Sequence, residues 1–341
     1  MSDNQSQLIT YAVIALILGA AVGFFAAGPL RYNSRINELE ARVDELEQAP
    51  GDLSECIEEL DAANDEIDDL EDEIADLEDT INEMQQPEEL SGDLFISGSS
   101  TVFPIADLAA EEFTAMHTDV NIQVEGPGSG TGVRKASDGT ADIGMASRFV
   151  KDSEHLNAPT LVTYGVAKDS VSVVINPSNT LAGELDLSVE QVNQIFTGEI
   201  TNWSELGGAN ADINVYTREE GSGTRATFMD FTGIEEGEFA DGASVQQGNS
   251  AMRAAVAGDP NGIAYISLGY VDASVSPAKI DGFEGTVENV LAGTYPFQRI
   301  LWMFTLGKAS PLEQAYLDYV MSPDGQEIVE EEGFIPIYPT N

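Results

Sequence analysis

One cysteine and two histidines in 341 residues are the scarcities that exclude most. Cys56 alone permits no intrachain disulfide, no zinc-finger ligand set and no CxxC redox pair. His117 and His155 lie away from every Gly-Ser turn, so a histidine metal site or a Ser-His-Asp triad has little to build on. Basic residues are also few, 14 Lys and Arg against 60 Asp and Glu, giving a formal net charge of -46. Nucleic acid is thereby excluded as a partner, because contact with its phosphates needs clustered Lys and Arg. The GxSxG, dinucleotide GxGxxG and Walker motifs are absent as well. The chain reads as a non-enzyme with no catalytic residues, no cofactor and no metal.

What remains is 42% hydrophobic, with 8% aromatic residues, which fits a folded domain better than an acidic disordered tail. At molar salt the Debye length shrinks to about 3 Å and self-repulsion is screened, so the acidity reads as adaptation to a salty medium.

The N-terminal quarter has its own organisation. Leu8 to Leu30 is an uncharged apolar run long enough to cross a bilayer. Residues 1–30 are therefore expected to form a single-pass membrane anchor, since MSDNQSQ lacks the basic start of a secretory signal. Residues 31–90 read as an acidic coiled-coil stalk. Leu53, Cys56, Leu60, Ala63, Ile67, Leu70, Ile74, Leu77, Ile81 and Met84 alternate steps of three and four, the seam of a parallel homodimer or the stripe of a single solvated helix. Cys56 lies on that seam, either as a cross-link or as a small packing residue. Arg31, Arg35 and Arg42 follow the anchor and by the positive-inside rule favour a cytoplasmic C-terminal side.

Beyond Pro87, short β-rich runs alternate with helical ones: Leu94–Ser97, a helix to Met116, Asn121–Val124, a helix from Gly132, then Ala141–Met145. Such alternation predicts an α/β fold with parallel strands and crossover helices, whose ligands sit at strand carboxyl ends. There three Gly-hydroxyl stretches fall: Gly98-Ser99-Ser100-Thr101, Gly128-Ser129-Gly130-Thr131-Gly132 and Gly221-Ser222-Gly223-Thr224. Each runs into a predicted helix. Free N–H groups, the helix dipole and flanking hydroxyls make such a turn a seat for a small oxyanion. Arg218 adds a guanidinium that can grip two oxygens at once. Glu220 is expected to fix its fork, with Arg225 at the rim. Arg148, after Ser147, is either a second cation of the pocket or the partner of an acid. Asn249 and Ser250 open a helix over Ser250–Gly258 and read either as its cap or as a further donor from lobe two.

The blocks GSSTVFPIADLAAEEF, GPGSGTGVRKASDGTADIGMASR, YTREEGSGTRATF and AVAGDPNGIAYISLGY, in that order, carry a resemblance. From about Gly92 to the C-terminus the chain resembles the phosphate-binding receptors of Pst-type ABC transporters. The resemblance implies a two-lobed type II periplasmic-binding-protein fold at 92–341, preceded by the transmembrane helix and the α-helical coiled-coil stalk. Lobe one is expected over 92–175 and 265–341, lobe two over 176–264. It implies inorganic phosphate as ligand, ABC permease subunits as partners, and the globular part on the extracellular face of the cell membrane, against the arginine bias. Thr101, Ser129, Arg218, Ser222, Gly223 and Thr224 match the family's ligand positions, with Ser100, Gly130 and Thr131 beside them. One departure stands out: much of the family ends the strand before Ser147 in Ser-Asp, whose carboxylate accepts a phosphate proton, whereas here it reads Ser147-Arg148. A sulfate- or molybdate-like oxyanion, or a sensor acting through the coil, is the alternative.

Overall fold

The computed structural model describes residues 90–338 and, apart from them, Ala41. The expected anchor, and the stalk with its Cys56 but for Ala41 and Leu90, lie outside the described residues. Glu89–Asn341 forms one compact unit. Among the described residues no helix is long and apolar enough to cross a membrane.

In chain order the unit begins with β1 (Gly92–Gly98), α1 (Phe103–Met116), β2 (Val120–Glu125), α2 (Ser129–Ser137), β3 (Ile143–Ala146) and α3 (Asp152–Asn157). The long strand β4 (Leu161–Ile175) then leads to β5 (Asp186–Leu187), α4 (Val189–Thr197), β6 (Asn214–Arg218), α5 (Gly223–Thr232), β7 (Ser244–Gln246) and α6 (Gly248–Ala257). Next come β8 (Gly262–Ser267), β9 (Ser276–Pro277), β10 (Lys279–Ile280) and α7 (Val287–Leu291). Last are β11 (Gln298–Leu306), α8 (Pro311–Met321) and α9 (Pro323–Glu331).

The main sheet runs β2-β1-β3-β11-β4-β8-β6-β7. Its two ends obey the predicted βαβ logic, β1 pairing in parallel with β2 and β3, and β6 with β8 and β7. The centre is antiparallel. Strand β4, 15 residues long, pairs with β11 along Leu161–Ser170 and with β8 along Val171–Ile175. At about 3.3 Å per residue it is long enough to serve two lobes.

Two large cores flank that change of partner. Lobe one buries Ile96, Ile105, Phe113, Met145, Val166, Leu301, Met303 and Tyr316. Lobe two buries Val173, Ile195, Phe196, Trp203, Phe228, Tyr265 and Phe297. The expected boundaries need correction. The first crossing falls at Ser170/Val171, since Val171 to Ile175 already pack in lobe two, and the second at Phe297/Gln298 rather than near 265. Residues 265–297 belong to lobe two: Ile266, Val275, Ala278, Ile280, Val290 and Tyr295 all join its core. Segments of two-residue strands and turns carry no periodicity that would have placed them.

Local sequence explains the helices that matter below. Pro104 sits in the first turn of α1, where its missing N–H costs nothing, and Ile105, Ala106, Ala109, Ala110 and Phe113 form the buried face. Helix α2 starts at Ser129, three residues before the expected Gly132, so Ser129 and Gly130 lie in its first turn. Gly132 lets that helix press on the sheet: a Cβ there would lie 2.5 Å from the Met145 carbonyl oxygen and 2.6 Å from Gly98 Cα.

Candidate functional site

Strand β6 delivers Arg218 to the boundary between the lobes, and β1, β3 and β8 end there too. Tyr265 fixes the end of β6. Its ring stacks on Phe228 at 3.9 Å between centroids, and its hydroxyl accepts the Arg218 N–H at 3.1 Å. Burial pushes the Tyr265 pKa up to about 12, so it stays a neutral hydroxyl.

Arg218 is 1% exposed. Its Nε and Nη2 donate to the two oxygens of Glu219 at 2.8 and 2.7 Å, its Nη1 to Asn249 Oδ1 at 3.1 Å, and its Nη2 also to Ser100 Oγ of lobe one at 3.2 Å. The carboxylate that fixes the fork is therefore Glu219, not Glu220 as expected, and Glu220 is exposed. Burial disfavours the Glu219 carboxylate, but hydrogen bonding and the charge of Arg218 prevail and hold its pKa below the ordinary value.

The three Gly-hydroxyl stretches meet. Thr101 Oγ1 of lobe one lies 3.1 Å from Thr224 Oγ1 of lobe two, and both residues are buried. Gly130 N–H donates across the boundary to the Gly221 carbonyl at 3.0 Å. Ser129 Oγ accepts the Ser147 N–H at 3.1 Å, and these two hydroxyls face Gly223. Ser222 caps α5 by accepting Arg225 N–H, which leaves its own proton to donate elsewhere. The starts of α1, α2, α5 and α6 thus converge, each carrying roughly half a positive charge. Thr131 lies one residue deeper in α2 and is half-buried.

Arg148 lies beside Gly130, its Nη2 3.9 Å from where a Cβ on that glycine would sit, but its guanidinium is engaged by an acid. Its Nη1 and Nη2 donate to the two oxygens of Glu154 at 2.7 Å each, and Nη1 donates to the Phe149 carbonyl at 2.8 Å. Of the two readings offered by the sequence, the geometry supports the partner of an acid rather than the pocket cation. Arg225 pairs with Glu236 and covers the Phe239 ring, outside the hydroxyl cluster.

Burial opposes the Glu154 carboxylate, yet Arg148 and the Lys151 N–H together hold its pKa below the ordinary value. A carboxyl so lowered stabilises the fold above the ordinary carboxylate range, and the contribution is lost as pH falls through the folded value. Unfolding midpoints measured from about pH 6 to pH 3, spanning the ordinary Glu value, are expected to fall with pH, and Glu154→Gln to flatten that fall. Arg148→Met should lower the midpoint by roughly 2–8 °C while changing oxyanion affinity by less than about threefold.

Two contributors, Asp169 and Arg299, were missed by sequence reasoning, and a third, Asn249, was left open between a cap and a donor. Asn249 is no simple cap, because its buried side chain donates to Thr101 Oγ1 at 2.9 Å and accepts from Arg218. Asp169 and Arg299, on β4 and β11, form a buried ion pair whose guanidinium reaches Thr224 Oγ1 at 3.1 Å. Burial pushes the Arg299 pKa down, and Asp169 opposes that shift. The available signal was charge inside a β-rich run, Asp169 beside Lys168 in VAKDSVSVV and Arg299 in FQRILWMF.

Two α/β lobes joined by crossing strands, with hydroxyls, helix starts and an arginine gathered between them, define a solute-binding protein that closes on a small anion. Residues 84–324 match the family described as PBP superfamily domain. The chain is 37% identical to the phosphate-binding protein PstS of Bacillus subtilis over 252 residues, 73% of this chain and 82% of that protein. To PstS of Pseudomonas aeruginosa it is 31% identical over 286 residues, 75% and 86% of the two chains. It therefore belongs to the PstS family of the periplasmic-binding-protein superfamily. Among solved structures, a phosphate ABC transporter substrate-binding protein from Clostridium perfringens with bound phosphate matches with a TM-score of 0.69 at 36% identity, covering 72% of this chain and all of that one. An ABC-type phosphate transport receptor from Vibrio cholerae gives a TM-score of 0.61 at 32% identity, over 71% of this chain and 99% of that one.

Proposed function

We propose that this chain is an extracytoplasmic receptor that captures inorganic phosphate by closing its two lobes and hands it to an ABC permease. The observation that carries the reading is the meeting of Thr101 and Thr224, from opposite lobes, at 3.1 Å among buried donors. The bound phosphate of the Clostridium perfringens relative supports the choice of ligand. Hydrogen bonds to a charged group contribute roughly 1.5–3 kcal/mol net each. About eight of them suffice for micromolar binding, near -8 kcal/mol, after ordering costs. Distant surface acids do not defeat this, because salt screens them while the buried donors remain.

The remaining parts of the reading rest on sequence. The apolar run Leu8 to Leu30 tethers the receptor, residues 31–90 space it from the membrane as a single helix or a parallel pair, and the acidic surface suits a salty exterior.

A broader oxyanion range is the second reading. Both oxygens of Glu219 are taken by Arg218, and one also accepts the Gly248 N–H at 3.3 Å. Protons of the ligand are then left to hydroxyls, which both donate and accept. Titration calorimetry at high salt is expected to give micromolar or tighter binding of orthophosphate, with sulfate and molybdate weaker. Sulfate outcompeting phosphate at neutral pH favours the second reading, and binding of no tetrahedral oxyanion overturns both.

A further inference from the structure

The Asp169–Arg299 ion pair lies where the chain crosses between the lobes, and no anion-cradle stretch accounts for it. The two residues are direct cross-strand partners, Asp169 on β4 one residue before Ser170 and Arg299 on β11 two residues after Phe297. Asp169 is 0% exposed and fully engaged. Its Oδ1 accepts the Leu268 N–H at 3.0 Å, and its Oδ2 accepts the Ser267 hydroxyl at 2.7 Å and Arg299 Nε at 2.8 Å, with Arg299 Nη2 in ion-pair contact at 2.6 Å. Arg299 is held on its other side by the Ser147 carbonyl, which accepts from Nη1 at 3.0 Å. A guanidinium gripped at both ends cannot turn.

Its Nη2 then points at two hydroxyls, Thr224 Oγ1 at 3.1 Å and Thr101 Oγ1 at 3.4 Å. Thr101 Oγ1 receives a second donor, Asn249 Nδ2, at 2.9 Å. A hydroxyl has one proton and two lone pairs, and arginine is a donor only. With both lone pairs of Thr101 occupied, its proton points to Thr224 Oγ1 at 3.1 Å; Thr224 then accepts from both Arg299 and Thr101, and its own proton is left to point elsewhere.

We propose that the Asp169–Arg299 pair is a positioning device that orders the hydrogen-bonded hydroxyls of Thr101 and Thr224, one from each lobe, so that the Thr224 proton is presented to an unprotonated oxygen of the bound oxyanion. The proposal rests on the oxyanion-receptor reading given above and adds how the corner between the lobes is set. Arg299 acts here through the two threonines, so its effect must depend on them.

A double-mutant cycle on the full chain, read by calorimetry with orthophosphate at high salt, tests this. Arg299→Lys keeps a cation for Asp169 but loses the fixed fork, and should weaken binding about 10- to 30-fold. In a Thr101→Val, Thr224→Val background the same change should cost less than about threefold, because the hydroxyls it orients are gone. Asp169→Asn, which leaves the guanidinium but frees it to turn, should show the same dependence and serves if Arg299→Lys does not fold. Equal losses in both backgrounds would overturn the proposal, as would unchanged binding by Arg299→Lys. If the unsubstituted protein binds no tetrahedral oxyanion, the receptor reading fails and this proposal with it. If it binds but the losses are additive, the receptor reading stands and only the positioning role falls.

Discussion

Arg218→Ala is expected to abolish tight oxyanion binding, raising the dissociation constant about a thousandfold, near 4 kcal/mol. Two effects add. The guanidinium is a cation held among the hydroxyls, and its Nη2 already reaches Ser100 of the opposite lobe at 3.2 Å. Its loss also strands Glu219, whose oxygens lie 2.7 and 2.8 Å from Arg218 nitrogens, and a partly buried carboxylate without its partner repels an anion. Calorimetry with orthophosphate measures the loss, and Arg218→Ala, Glu219→Gln separates the parts. Removing the stranded charge should recover a portion of the affinity but not the whole. Unchanged affinity in Arg218→Ala would reject the site.

Gly223→Ala should weaken binding about 10- to 100-fold while leaving each lobe folded. A Cβ at Gly223 would lie 2.2 Å from Ser129 Oγ, 2.5 Å from Ser147 Oγ and 3.0 Å from Ser129 Cβ. Turning the hydroxyls away relieves the first two contacts at the cost of the bond from Ser147 N–H to Ser129. The third contact remains, so the lobes must part slightly. Within lobe two the change is harmless, since Gly223 opens α5 and alanine is the better helix former there. Scattering measured with and without orthophosphate should therefore show less compaction in Gly223→Ala than in the unsubstituted chain. A variant that closes fully and binds normally would mean that the approach of Ser129 to Gly223 is not required for the bound state.

Much of the site was legible because its parts are local. A glycine beside a hydroxyl at a helix start carries its donors wherever the helix goes, so Thr101, Ser129, Ser222, Gly223 and Thr224 could be named without a fold. The Arg218 partner was not legible. Glu219 and Glu220 are adjacent and chemically alike, and the turn after β6, with Gly221 at φ 83°, decides which one faces the arginine. Arg148 was ambiguous for a related reason: only the placement of α3 shows that Glu154 is in reach of both its terminal nitrogens.

The amino-acid sequence by itself determined the donor chemistry, the acidic composition and the alternation of strands with helices, since each is read from residue types or from residues a few positions apart. Tertiary structure alone decided where the lobes divide, that Asn249 turns inward, and that Asp169 and Arg299 share one buried cross-strand pair. Residues 130 positions apart become partners only when β4 and β11 are laid side by side. Strand neighbours are chosen by the burial of whole sheet faces, a property that no short window of sequence contains.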